Sequence, residues 1–278
     1  MHHTGYQPDT VALIGAGNAI DSALQKGLQR VGFRVQLLGP EQVSQVRAGA
    51  LVINAASCAG SARKELARDV CDALAQVSYT ALLHLSSYAV FGGGVRKKIH
   101  EDDEPSPDTE SGREWLYCEQ RLGALENTSI LRLGWKVDRS ERALLGRIVS
   151  GLLQSKPIVL DDVTRGNPVT VSDLVRVVVA VTQQLASGAP RSGVYHFGSA
   201  DTCTAMDFGR EVVDRVQSLY GEDFAAELLA LSPAAADHSS VLACEKLRDV
   251  FGIQQRSWRQ GLTRQVELWL ERLQKAEG

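Results

Sequence analysis

The turn Gly15-Ala16-Gly17 is the first stretch whose residue types could do chemistry. It follows the apolar run at residues 11–14 and precedes residues 18–31, whose apolar side chains recur with a helical period. A strand, a glycine-containing turn and a helix in this order direct backbone N–H groups toward a bound phosphate. The contacts predicted here for a dinucleotide come from Gly15, Ala16, Gly17, Asn18, Ile20 and Asp21.

The same turn also carries features that oppose phosphate binding. Asn18 and Asp21 form a capping-box-like pair, and such side chains occupy the N–H groups that a phosphate would use. Ile20 stands where the pattern G-x-G-x-x-G requires its third glycine. A carboxylate about 4 Å from a pyrophosphate opposes binding by roughly 4 kcal/mol at an effective dielectric of 20. The sequence therefore predicts that NAD(P) binding is weak or lost.

Hydroxyl side chains suggest a proton donor. A phenol near pKa 10 donates poorly at neutral pH unless a neighbouring cation lowers its pKa. Arg121 follows Tyr117 by one helical turn, which makes Tyr117 a candidate acid, although a guanidinium is a poor group for lowering the pKa of a phenol. Tyr88, directly after Ser86 and Ser87 at a predicted strand end, is a further alternative.

The elements that must position these residues alternate between strand and helix. Strands are predicted at 11–14, 33–38, 51–54, 80–86 and 129–133, and helices at 18–31, 64–75 and 112–126. Continuous apolar strands imply burial on both faces, hence a parallel sheet. We expect an α/β fold, a Rossmann-type doubly wound parallel sheet over residues 1–135. A smaller C-terminal α/β lobe is expected over residues 136–278, with some strands returning to the core.

Composition excludes several classes of protein. The net charge is −3, so no global field attracts nucleic acid or a membrane surface. No stretch reaches 18 apolar residues, and we expect a cytoplasmic protein. An odd number of cysteines without a CxxC pair indicates reduced thiols and no metal site. These cysteines are Cys58, Cys71, Cys118, Cys203 and Cys244.

Several segments resemble the extended short-chain dehydrogenases. The first two are residues 52–56, which end in Asn54-Ala55-Ala56, and residues 85–92 (LSSYAVFG). Segments at 130–135, 162–168, 171–174, 193–197 and 246–252, with Trp258, narrow the resemblance to the dTDP-4-dehydrorhamnose reductase branch. It covers about residues 10–270 and implies NAD(P)H-dependent reduction of a keto sugar carried on a nucleotide. It also implies that Asn54, Ala55, Ala56 and Ser86 line the cofactor site.

Two catalytic positions depart from that family. Its members use a Ser or Thr, a Tyr, and a Lys four residues after the Tyr. Ser87 matches the first position. Glu119 matches the acid that usually follows the Lys by one turn, and in this register Ser111 replaces the Tyr and Trp115 replaces the Lys. Because a serine hydroxyl is a far weaker acid than a phenol and indole carries no charge, we expect impaired hydride transfer.

Other positions give weaker signals. Ala236 stands where the family places an arginine for the diphosphate of the substrate. Glu41 could contact a ribose or simply begin a helix, and His196 and His238 are expected to be structural.

Two functions follow from these patterns. The first is an atypical family member that acts by binding a nucleotide, a nucleotide sugar or another small molecule, or as a regulatory subunit of a partner protein. The alternative is an active NAD(P)H-dependent reductase or epimerase of a nucleotide-linked sugar or related carbonyl compound. The family resemblance also implies a homodimer, because relatives commonly dimerise through the helix that corresponds to residues 112–126.

Overall fold

The computed structural model describes residues 10–56, 64–92, 98–137, 143–188, 191–221, 227–231 and 239–277. The elements of the first half are β1 (Thr10–Ile14), α1 (Ala19–Arg30), β2 (Arg34–Leu38), β3 (Leu51–Asn54), α2 (Lys64–Leu74), β4 (Ala81–Ser87), α3 (Glu110–Gly123) and β5 (Thr128–Leu133). Each predicted strand and helix of this half is present, with ends that differ by at most three residues.

The second half has more and shorter elements. They are β6 (Lys136–Val137), α4 (Leu144–Leu153), β7 (Ile158–Asp161), β8 (Arg165–Gly166), β9 (Val169–Thr170), α5 (Val171–Ala186), β10 (Gly193–Phe197), α6 (Ala205–Tyr220), β11 (Leu228–Leu231), β12 (Ser239–Ser240), α7 (Glu245–Phe251) and α8 (Arg259–Glu277). Sequence periodicity missed β11, which pairs in parallel with β7.

The main sheet has six parallel strands in the order β10-β5-β4-β3-β1-β2. The chain runs from β1 outward to β2 and then returns to β3 on the other side of β1. In open α/β sheets this reversal is the topological switch point, where ligands bind at the carboxyl ends of the strands. The predicted fold class is confirmed.

The sheet is covered on both faces, as its apolar strands require. One core joins alternate strand residues to α1 and α5, and a second core joins the other face to α2 and α3. Every residue of β3 and β5 is buried. These two layers fix the carboxyl edge of the sheet at β3 and β5, because each of these two strands has a neighbouring strand on both sides and a packed layer on both faces.

A third apolar core lies in the C-terminal half of the chain. It brings together α4, β7, α6 and α8, with Phe208 and Trp258 among its buried residues. By contrast, α5 and β10 belong to the main sheet and its cover. The division at residue 135 stays a prediction.

The end of α3 differs from the expectation. The helix ends at Gly123 and not near residue 126, since Asn127 adopts a left-handed backbone (φ 56°) that turns the chain into β5. Among the helices described, none is long and apolar enough to cross a membrane. Cys58, Ala236 and His238 lie outside the described residues.

Candidate functional site

The turn after β1 is closed by its own side chains. Asn18 is the N-cap of α1, and its Oδ1 accepts the N–H groups of Ile20 (2.8 Å) and Asp21 (3.2 Å). In return, Asp21 Oδ2 accepts the N–H groups of Ala16 and Asn18, both at 2.9 Å. The predicted capping box is therefore confirmed. Four backbone donors at the start of this helix are already engaged within the protein.

Asp21 lies beneath the turn and not in open solvent. Its side chain is 2% exposed, and a Cβ atom added at Gly15 would lie 2.6 Å from the carboxylate. Gly15 is therefore required by the position of Asp21. The second carboxylate oxygen, Oδ1, has no hydrogen-bond partner among the described residues.

Three strand ends meet beside this turn. The Gly15 N–H donates to Leu38 O (3.0 Å), and the Ala55 N–H donates to Ile14 O (2.9 Å). Asn54 Oδ1 accepts the Ala56 N–H at 3.2 Å. The structure thus brings the two predicted cofactor segments, 15–21 and 54–56, to one edge of the sheet.

Glu41 lies at the end of β2, in the first turn of a short 3-10 helix, Pro40–Gln45. Its carboxylate folds back against Gly39, and the residue is exposed. The position is the helix start that the sequence allowed as one of two alternatives. The ribose role for Glu41 stays a prediction.

Helix α3 is anchored by a buried ion pair. Thr109 caps its start, with Oγ1 accepting the Gly112 N–H (3.0 Å). Glu119 lies two turns after Gly112 and is 4% exposed. Its carboxylate lies 2.7 Å from the Arg132 guanidinium and accepts a hydrogen bond from the Ser86 hydroxyl. This contact fixes which face of α3 points to the sheet. The Ser86 hydroxyl is thus engaged in the core, and the assignment of Ser86 to the cofactor site stays a prediction.

Trp115 and Ser111 lie one and two turns before Glu119 on the same face of α3. Trp115 packs against a small apolar cluster, together with Tyr88 and Leu116. The buried members of this cluster, which we call the α3 apolar cluster, are Val90, Phe91, Ile99, Leu242 and Cys244. Ser111 lies in the first turn of the helix and is partly exposed. The face that carries Glu119 therefore presents an indole one turn earlier.

Ser87 and Tyr88 lie at the carboxyl end of β4. The Ser87 hydroxyl accepts the Ala89 N–H at 3.2 Å and caps a one-turn 3-10 helix, Tyr88–Val90. Tyr88 is partly buried against the α3 apolar cluster, and burial raises the pKa of its phenol.

Tyr117 points to a different place from Trp115 and Glu119. Its hydroxyl donates to Asp72 of α2 at 3.1 Å, and the Arg68 guanidinium lies 4.6 Å from its ring centroid. The hydrogen bond to Asp72 raises the pKa of Tyr117, although Arg121 pairs with the same carboxylate. The structure places Tyr117 between α2 and α3, away from the residues of the α3 apolar cluster.

Sequence reasoning missed a buried polar row across three strands. Ser86, Arg132 and His196 are direct neighbours in register on β4, β5 and β10. Arg132 Nη1 lies 3.4 Å from the ring nitrogen Nε2 of His196. The backbone N–H of His196 donates to the Glu101 carboxylate at 3.0 Å. Burial, and then the Arg132 charge, lower the pKa of His196 to about 3. The sequence did carry one signal for this row, because Arg132 is a single charged residue inside an apolar strand. A buried arginine requires a buried partner.

His84 is a second buried histidine, with a different environment. It lies on β4 opposite Asn54, is 0% exposed, and neither ring nitrogen has a hydrogen-bond partner among the described residues. Burial lowers the pKa of His84 to about 4. The ring is therefore neutral at physiological pH.

Two contacts join the C-terminal half to this edge. The Asn167 side chain donates to Leu242 O (3.1 Å) and accepts the Leu242 N–H (3.2 Å). Trp135 Nε1 donates to Ser240 Oγ at 2.7 Å. The segment that contributes Leu242 to the α3 apolar cluster is thus held by residues of the resemblance motifs. Within the described ranges, no group of three or more acidic, histidine or cysteine side chains could hold a metal ion.

Comparison with known proteins agrees with this architecture. The family model described as the RmlD substrate binding domain matches residues 9–270. A dTDP-4-dehydrorhamnose reductase of Sinorhizobium fredii is 24% identical over 211 residues, which are 72% of this chain and 71% of the relative.

Solved structures share the fold. One is a dTDP-4-dehydrorhamnose reductase from Bacillus anthracis in complex with NADP, with a TM-score of 0.74 and 20% identity over 92% of this chain and 97% of that one. Another is MoeE5 in complex with UDP-glucose and NAD, with a TM-score of 0.73 and 20% identity over 95% and 99% of the two chains. Together with the parallel sheet and the matched motifs, these findings show that the chain belongs to the RmlD substrate-binding domain family of the extended short-chain dehydrogenases.

Proposed function

We propose that this chain acts by binding a nucleotide or nucleotide-linked sugar, as a regulatory or ligand-binding protein, and does not itself transfer hydride. The observation that carries this proposal is the position of Trp115. It lies one turn before Glu119, packed in the α3 apolar cluster, where the family resemblance implies the lysine that assists the proton donor. Indole can neither lower the pKa of a phenol nor carry a positive charge.

The turn after β1 supports the same proposal. A pyrophosphate requires free N–H groups at a helix start and glycines that let it approach. Here the N–H groups of Ala16, Asn18, Ile20 and Asp21 are bonded within the turn. The Asp21 carboxylate adds a negative charge behind it. These residues do not fit a dinucleotide diphosphate.

Two of the candidate proton donors are also poorly suited to reduction. Ser111 offers only an aliphatic hydroxyl, and the Tyr117 phenol is bonded to Asp72 on α2. Meanwhile the apolar cores remain intact in both halves of the chain. The family's catalytic residues are replaced at several positions while the cores are retained, and this combination favours a binding function over a catalytic one.

The ligand class rests on the relatives. The MoeE5 structure contains UDP-glucose, and the curated relatives include a dTDP-sugar reductase. The carboxyl edge of the sheet in this chain belongs to the same fold, and Asn167 and Trp135 link residues 240–242 to it. A nucleotide-linked hexose is therefore the first ligand to test.

Isothermal titration with UDP-glucose, dTDP-glucose, NADH and NADPH tests the proposal. We expect a nucleotide sugar to bind with micromolar affinity and the dinucleotides to bind in the millimolar range or not at all. NADPH consumption should not occur with any nucleotide-linked keto sugar. Micromolar NADPH binding with turnover would overturn the proposal.

The role of the turn has its own test. Asn18→Gly combined with Asp21→Gly frees the N–H groups, and we expect NADPH affinity to rise at least tenfold. Thr204 and Asp207 form the same kind of capping box on α6, so Thr204→Gly with Asp207→Gly is the matched control. If neither double variant changes NADPH affinity, the turn is not the obstacle.

A second candidate is an active reductase or epimerase whose acid is Tyr88. It is favoured by the position of Tyr88, directly after Ser87 and in contact with the cluster that contains Trp115. In that case Tyr88→Phe abolishes turnover of a nucleotide-linked keto sugar, whereas Tyr117→Phe leaves it unchanged. Absence of turnover in the unmodified protein would exclude this candidate.

A further inference from the structure

Two cysteines face each other in the core between α2 and α3. Cys71 lies on α2, Cys118 lies on α3, and both are free thiols with no exposed surface. Their positions are independent of the proposed function. The remaining described cysteines, Cys203 and Cys244, lie elsewhere in the fold.

The geometry brings the Cys118 sulfur onto the face of α2 that carries Cys71. Cys118 Sγ donates to Ala67 O at 3.6 Å. Ala67 precedes Cys71 by four residues, so the two lie one above the other on the same helix face. A side chain as short as cysteine reaches a backbone carbonyl of the facing helix only where the two helices approach closely. Close approach is what the Cα separation of a disulfide, about 4.4–6.8 Å, demands.

Both cysteines belong to the same apolar core on the α2 and α3 face of the sheet. The contact with the Cys118 thiol, followed by burial, raises the pKa of the Cys71 thiol. Because the thiolate is the reactive species, the packed pair is protected from oxidation while α2 is seated on α3. Transient separation of the helices would expose both sulfurs at once.

The pair is connected to the ligand-binding edge through Asn54. The Asn54 amide nitrogen lies 3.9 Å from Cys71 Sγ, and its oxygen accepts the Ala56 N–H. Asn54 therefore spans the distance from the thiols to the carboxyl end of β3. Oxidation of Cys71 would therefore alter a contact of Asn54, the residue that ends β3.

We propose that Cys71 and Cys118 are a redox-sensitive latch, which a peroxide closes into a disulfide that ties α2 to α3. One thiol, as thiolate, attacks the peroxide oxygen and becomes a sulfenic acid with release of one water. The second thiolate attacks that sulfur, the S–S bond forms, and hydroxide leaves and takes up a proton to give the second water. Two thiols and one hydrogen peroxide thus yield one disulfide and two waters. A dithiol reductant reverses the reaction.

The experiment treats the folded full-length chain with hydrogen peroxide and measures intact mass and tryptic peptides. We expect a loss of two hydrogens and a crosslink between the Cys71 and Cys118 peptides, which dithiothreitol reverses. Trypsin leaves Cys58, Cys71 and Cys118 in three different peptides, so the partners are identified directly. Oxidation should raise the thermal midpoint by roughly 5 °C, because the crosslink closes a long loop.

Variants separate the latch from general thiol oxidation. Cys71→Ala and Cys118→Ala should each abolish the mass change and the thermal shift, whereas Cys203→Ala should retain both. Hydrogen exchange at residues 54–56 should slow on oxidation of the unmodified chain only. A crosslink to Cys58, separate sulfinic acids, or no oxidation before unfolding would each overturn the proposal, and none of these readouts depends on ligand binding.

Discussion

Asp21 and Glu119 are two buried carboxylates near the same edge of one sheet, and the protein stabilises them in opposite ways. Asp21 is held by backbone N–H groups of residues at most five positions away, and one of its oxygens has no partner among the described residues. Glu119 is held by Arg132 and Ser86, which are 13 and 33 positions away. The first arrangement is local and shapes a turn. The second exists only after three elements have packed.

The difference predicts how much folding stability is lost when each carboxylate is replaced. Backbone N–H groups at a helix start can return to water, so loss of the local cap is mild. A guanidinium left in an apolar core has no such alternative. The contrast between a local, replaceable arrangement and a buried, long-range one can be tested at four places.

The largest expected effect is at the buried ion pair. Glu119→Gln should lower the free energy of unfolding by about 3–5 kcal/mol, because it leaves the Arg132 charge without its partner. Urea denaturation followed by tryptophan fluorescence measures this change. Glu114→Gln, which removes the exposed pair with Arg68 on the same helix, is the control and should cause no comparable loss. A cost below about 1 kcal/mol for Glu119→Gln would contradict burial of the pair.

The next effect concerns pH and the unpaired ring of His84. Its folded pKa of about 4 lies below the ordinary value of 6.5, so the unfolded state binds the proton first. Stability from this group is therefore complete above about pH 6.5 and is lost as pH falls toward 4. Between pH 7 and pH 4.5 we expect a loss of about 2 kcal/mol from His84 alone.

The matched variant is His84→Leu, which should remove this part of the pH dependence and stabilise the protein at pH 7 by about 1–3 kcal/mol, since two unpaired nitrogens are replaced by apolar atoms. His196→Leu should destabilise it instead, because that ring bonds Ile99 O at 3.2 Å and contacts Arg132. Urea titrations at several pH values measure both. Equal effects of the two variants would show that partners do not distinguish these histidines.

A smaller effect is expected at the local cap. Asn18→Ala and Asp21→Ala should each cost about 1 kcal/mol, the usual value of an N-cap interaction. The double variant should cost less than the sum, since the two side chains cap each other's backbone. A loss as large as that of Glu119→Gln would mean that Asp21 also supports packing beyond its turn.

The smallest effect is expected at Tyr117, whose contacts are long-range but only partly buried. Tyr117→Phe removes the hydroxyl bonded to Asp72, while Arg121 still pairs with that carboxylate. We expect no resolvable change in the thermal midpoint or in nucleotide-sugar affinity. A clear loss of nucleotide-sugar affinity would place Tyr117 in the ligand site and would support its role as the catalytic acid.

The fold was predictable because its signals are local. Apolar runs such as Leu51–Asn54 predict strands that are buried on both faces. The capping pair of Asn18 and Asp21 marks the start of α1. The short strand β11 was missed, since four apolar residues between helical patterns carry no distinctive period. The candidate site was only partly predictable, because side-chain direction depends on which helix faces which strand.

The sequence by itself determined the succession of strands and helices in the first half of the chain, the closed turn after β1, and the absence of a tyrosine and lysine in the register set by Glu119. These properties depend on residues within a few positions of one another or on a fixed helical spacing. Only the tertiary structure decided that Ser86 turns to Glu119, that Tyr117 turns to Asp72, and that Cys118 turns to the Ala67 carbonyl of α2. Each of these outcomes requires the packing of elements separated by more than 30 residues, and no local pattern encodes the direction in which they meet.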